Sequence, residues 1–188
     1  MSEPEFDVRI RQDALRAAPE TVAIETSRSP AMSSFRLLAL APENFEPLFA
    51  MSDTELDALG ARRVIADAPT GFPCRVSLAD ADVGDELLLL PFGHLTTGSP
   101  YRSTGAIYVR RGVARATPGR GVVPPYVTRR LMSVRAYDAA DMMIDADVCE
   151  GARAGEVIER MLSDSAVSFI HLHNARRGCF SCRVERSD

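Results

Sequence analysis

The stretch FIHLHNARRGCFSCRVER, residues 169–186, carries two histidines two apart and two cysteines three apart. Imidazole and thiol ligate borderline and soft metals, and near neutral pH they serve as base and nucleophile. Which of these chemistries is open to the segment depends on which side chains share a face.

Two antiparallel strands, 167–173 and 179–185, joined by the five residues Asn174–Gly178, give a common hairpin loop length. Setting His173 opposite Cys179 puts Leu172 against Phe180, His171 against Ser181, Ile170 against Cys182 and Phe169 against Arg183. Side chains alternate with period two. One face then holds Ile170, Leu172, Phe180, Cys182 and Val184, and the other holds His171, His173, Cys179, Ser181 and Arg183. A slip of one residue would mix apolar and polar sets, which favours this register.

The register turns Cys179 and Cys182 to opposite sides, whereas a zinc knuckle needs both sulfurs on one ion. The pair does not open a helix either, as a thioredoxin-type motif requires. Cys182 reads as a small core residue. Cys179 and His173 become cross-strand neighbours, with Cβ atoms about 4.5–5.5 Å apart. A nearby imidazolium or Arg183 would lower a thiol pKa. A thiol enzyme, with Cys179 as nucleophile and His173 as base, is one outcome. A binding face of His171, His173 and Arg183 for a small anion is the other. The ordinary alternative is a pair of histidines hydrogen-bonded locally on a partly covered sheet. Two histidines and Cys179 lack a fourth metal ligand, for which His94 and Cys74 would have to serve, so neither a metal nor another cofactor is expected.

Ahead of the hairpin in the chain, FRLLAL (35–40) reads as a strand. Ser52 and Glu55 form a capping box ahead of a short helix that Gly60 ends. GFPCRV starts a strand near Cys74, with Cys74 inward and Arg75 outward, available to an anion site or to the surface. GDELLLLPF is a buried strand without alternation. GAIYVRRGV, LMSVRAYDA and MMIDADVCEG add further strands, and GEVIERMLSD is a helix in which Val157 stacks on Met161 and Ile158 on Leu162. Without regular βα alternation, these imply an α+β fold, a largely antiparallel sheet of about eight strands with two or three helices and a C-terminal β-hairpin.

All 22 basic residues are arginine, and the net charge is -4. Leu87 to Tyr137 holds eight arginines and no acid, whereas acids cluster from Asp138 to Asp164. Such a basic stretch suits a small anion, helped by the Gly/Ser-rich loop around Tyr101 and Arg102. The bland alternative is internal pairing with the acidic segment. No nucleic-acid motif or aromatic interleaving accompanies the charge, so nucleic acid is not expected as a partner. An open sheet edge or basic face allows a dimeric interaction protein as a third reading.

Residues 1–33, with six acids and four arginines, show no helical stripe. They read as a poorly ordered tail, or as an overextended start with Met32 as the native first residue; residues 34–188 form one domain. Four cysteines without a secretion signal point to the cytoplasm. The longest aliphatic run, LLLL at 87–90, is far too short for a membrane span, so no membrane is expected.

Four segments, GFPCR (71–75), SPYRSTGAIYVRR (99–111), SVRAYDA (133–139) and HLHNARRGCFSCRVER (171–186), together resemble an uncharacterised bacterial family, domain of unknown function 1203. The resemblance spans about Phe35 to Arg186. It implies that these segments belong together, and brings no activity, substrate or cofactor with it.

Overall fold

The computed structural model describes residues 35–187. The expected tail, residues 1–33, lies outside the described residues. The strands in chain order are β1 (Phe35–Leu38), β2 (Arg62–Ile65), β3 (Pro73–Cys74), β4 (Ala79–Asp80), β5 (Glu86–Leu95), β6 (Ser103–Arg110), β7 (Leu131–Tyr137), β8 (Met143–Glu150), β9 (Phe169–Asn174) and β10 (Phe180–Arg186). The α-helices are α1 (Asp53–Ala58), α2 (Pro125–Thr128) and α3 (Ala154–Leu162). No helix among the described residues is long and apolar enough to cross a membrane.

The α+β content and the C-terminal hairpin stand, but the single sheet of about eight strands is replaced by two sheets of five. The first is ordered β1-β10-β9-β7-β8, and the second β2-β5-β6-β3-β4. All pairings are antiparallel except the short parallel contact of β3 with β6. Apolar runs specify strands but not their partners. β1 closes on β10 across almost the whole described chain, while β5 and β6 pair locally as a long hairpin.

Each sheet has its own apolar cluster. On the first, Met132, Val134, Ile170, Leu172, Cys182 and Val184 pack with Val157, Ile158, Met161 and Leu162 of α3. This is the i, i+4 stripe of that helix put to use. On the second, Cys74, Val76, Leu88, Leu90, Ile107 and Val109 pack with Phe45, Phe49 and Leu56. The capping box is formed: Ser52 Oγ accepts from the Glu55 N–H, and Glu55 accepts from the Ser52 N–H at 2.7 Å.

The hairpin register needs correction. Phe180 lies opposite His173, Cys182 opposite Leu172, Arg183 opposite His171 and Val184 opposite Ile170, with a bulge between Phe180 and Cys182. Relative to the expected pairing, residues 182–184 have moved by two positions along β9. A two-residue shift preserves parity, so Ile170, Leu172, Cys182 and Val184 still share the apolar face. The bulge absorbs the mismatch at Ser181, which is fully buried, and Phe180 lands among the histidines.

Three arginines of the basic stretch are ion-paired, though not with the acids after residue 138. Arg110 bonds Asp85 at 2.6 Å, Arg111 meets Glu86 at 2.9 Å, and Arg130 meets Asp80 at 2.5 Å. Asp145 and Asp147 lie on β8, the strand expected over MMIDADVCEG, and are paired with Arg160.

Candidate functional site

The chain has three histidines, and all of them meet at one place. His171 and His173 project from β9 on the side away from α3, as alternation requires. His94 comes from β5 in the other sheet. It sits at a bulge, between Gly93 opposite Thr104 and Leu95 opposite Ser103. A bulge re-aims a side chain, here toward the first sheet. Glycine suits this bend, because a Cβ on Gly93 would lie 2.6 Å from Thr96 Cγ2.

One ring nitrogen from each histidine lies within 4.8 Å of those of the other two. The ring of His94 is 4.9 Å from that of His173 and 5.6 Å from that of His171, centre to centre. Phe180 stacks flat on His94 at 5.0 Å. Tyr137 and Phe169, stacked on each other, flank His171. His171 and His173 are each 1% exposed, so water has little access to either ring.

The protons can be placed in part. The Nδ1–H of His173 donates to the Gly178 carbonyl at 3.0 Å, which leaves Nε2 as a bare acceptor. That Nε2, with Nδ1 of His171 and Nδ1 of His94, is buried and has no hydrogen-bond partner among the described residues. Burial pushes His171 down to about 3, and the charges of His94, His173, Arg183 and Arg135 push the same way. Burial likewise takes His173 down to about 4, against the opposing bond to Gly178 and aided by Arg135, His94 and Arg75. His94 is also lowered, by burial and then by Arg135. All three rings are therefore neutral at pH 7.

Arg135 was not singled out in the sequence. It lies on β7 directly opposite His171, and it acts on all three histidines. Its Nε donates to Ser133 Oγ at 3.2 Å, and it belongs to no ion pair among the described residues. The signal was its odd-numbered alternation with Ser133 and Tyr137, which becomes visible once β7 is known to pair with β9.

The other expected site residues divide. Arg75 is not outward but fully buried, donating to the carbonyls of Pro73 and Phe180 and, at 3.2 Å, to Cys179 Sγ. Cys179 Sγ also accepts from Asn174 Nδ2 at 3.3 Å. It is thus engaged by Arg75 and Asn174, and its expected place opposite His173 is taken by Phe180. Arg183 reaches the site's edge, but its guanidinium lies 3.8 Å over the Phe169 ring and bonds Glu185. Tyr101 meets Tyr137 edge-on at 6.4 Å and stands at the rim, partly exposed. Arg102 is exposed, and its backbone N–H closes the Ser99 turn.

Fold and site define a two-sheet α+β domain with a buried, neutral, arginine-flanked histidine cluster between its sheets. The family described as protein of unknown function (DUF1203) matches residues 71–186. The chain belongs to that family, and the match contains all three histidines, Arg75, Arg135 and Cys179. No curated protein and no solved structure matches the chain.

Proposed function

We propose that the chain binds a small oxyanion at the histidine cluster, with Arg135 as its cationic partner. One observation carries this reading. The cations acting on the three rings from outside the cluster are arginines: Arg135 acts on each ring, Arg183 on His171 and Arg75 on His173. Arg75 and Arg135 flank the rings without a carboxylate partner among the described residues. A guanidinium held away from water favours an anion nearby, and its planar fork matches carboxylate and phosphate oxygens. Nδ1 of His94 and of His171 are also buried and unpaired, at a cost of about 1–3 kcal/mol each, and as N–H donors they can meet an oxyanion, which the bare Nε2 of His173 cannot.

A thermal-shift screen against inorganic phosphate, small carboxylates and nucleotides tests the proposal. At least one class of anion raises the melting temperature, and Arg135→Gln removes the effect. No shift with any anion overturns it.

The convergence of Arg75 and Asn174 on Cys179 Sγ favours a second reading, a reactive thiol. Iodoacetamide labelling across pH decides it: labelling of Cys179 at the rate of a free thiol ends that reading.

A further inference from the structure

We infer that His94, His171 and His173 form a centre for one divalent transition-metal ion, bound through three ring nitrogens with a coordination position left for the anion. The open position deepens the anion-site reading and rests on it; the ion itself rests on the histidines alone. The sequence favoured no metal because its candidate set relied on Cys179. The fold replaces that sulfur, which is engaged by Arg75 and Asn174, with His94 from the other sheet.

Four features support the ion. First, the nitrogens are near enough. Ligands about 2.0–2.1 Å from a tetrahedral ion lie about 3.4 Å from one another. The present separations, up to 4.8 Å, close to that by small rotations of the rings, His94 being only half-buried at its bulge. Second, the tautomer of His173 suits ligation. Its Nδ1–H is spent on the Gly178 carbonyl, and Nε2 faces inward without a proton. A backbone carbonyl behind a ligating imidazole is the usual outer-shell arrangement. Third, the rings do not satisfy one another. A purely structural cluster would chain its imidazoles by N–H···N bonds, yet a buried nitrogen on each ring is unpartnered among the described residues. Fourth, the donor set selects the ion. Three neutral imidazoles, with no carboxylate in the set, suit zinc, cobalt, nickel or copper and disfavour magnesium and calcium.

Three protein ligands leave a zinc-like ion one exchangeable position. A dication held by neutral ligands beside Arg135 carries uncompensated positive charge. An oxyanion completes both its coordination and its charge.

The test uses the full chain, stripped with a chelator and titrated with Co²⁺. The wild type takes up one equivalent and develops the visible absorption of a low-coordinate cobalt ion with nitrogen ligands. His94→Ala, at a half-exposed position that leaves the cores intact, melts like the wild-type apoprotein and loses the spectrum. Cys179→Ser keeps it. Absence of stoichiometric cobalt binding by the wild type, or an unchanged spectrum in His94→Ala, overturns the inference. If cobalt binds but no phosphate or carboxylate perturbs its spectrum, the metal stands and the anion reading fails. If an anion stabilises the wild type but cobalt does not bind, the anion reading stands and the metal fails.

Discussion

The two faces of the β7-β9-β10 sheet are buried to the same depth and built on opposite principles. Leu172 and Ile170 look toward α3 and are 0% exposed; His171 and His173 look toward the second sheet and are 1% exposed. On the α3 side, the strands present only apolar side chains and Cys182: Met132, Val134, Ile170, Leu172 and Val184 meet the helix. On the other, imidazoles are stripped of water and left with open nitrogens among aromatic rings. Burial at equal depth therefore stabilises one face and strains the other. A fold that keeps such a strained face carries a standing opposition between stability and site.

Breaking the apolar face has the largest expected effect. Leu172→Ala lowers unfolding free energy by about 2–5 kcal/mol, read by urea titration of the apoprotein. A pH series sharpens the comparison next. The folded pKa values of His171 and His173 lie near 3 and 4, below the ordinary value of 6.5. Above 6.5 neither the folded nor the unfolded chain protonates them. Below it the unfolded chain takes up protons that the folded chain refuses, so stability falls as pH drops from about 6.5 toward 4. The loss is on the order of a few kcal/mol. A flat profile over that range would mean the rings are not held neutral. His171→Leu, which swaps an unpaired polar ring for an apolar side chain, leaves apoprotein stability at pH 7 within about 1 kcal/mol of the wild type while abolishing ligand binding. It also flattens much of the acid loss. The smallest effect belongs to Arg183→Ala. Its ion pair and ring contact are partly exposed, so the change stays under about 1 kcal/mol and anion binding is unaltered.

Local features of this fold were legible in the residues themselves. The capping box at Ser52, the stripe on α3 and the apolar runs of β5, β7 and β9 are encoded within a few positions of each other. The division into two sheets was not, since β1 meets β10 and β3 meets β6 over long sequence separations. Two-residue strands such as β3 and β4 carry no periodicity to read. The hairpin shows how parity can rescue a wrong register: a shift of two positions kept Leu172 with Cys182 and His171 with Arg183. It failed at the bulge, where Phe180 and Cys179 changed surroundings. His94 was named only as a spare fourth ligand, and its place beside the other two rings was not legible, because alternation along β5 breaks at its own position. Its rarity was a usable sign, the chain having only three histidines.

His94 is the one imidazole that the second sheet lends to the first. Whatever joins the three rings acts as a rivet across the seam, and filling the site and holding the halves closed become a single equilibrium. Amide exchange along β5 and β9 would slow together on loading, making the ligand a brake on the opening of the whole domain.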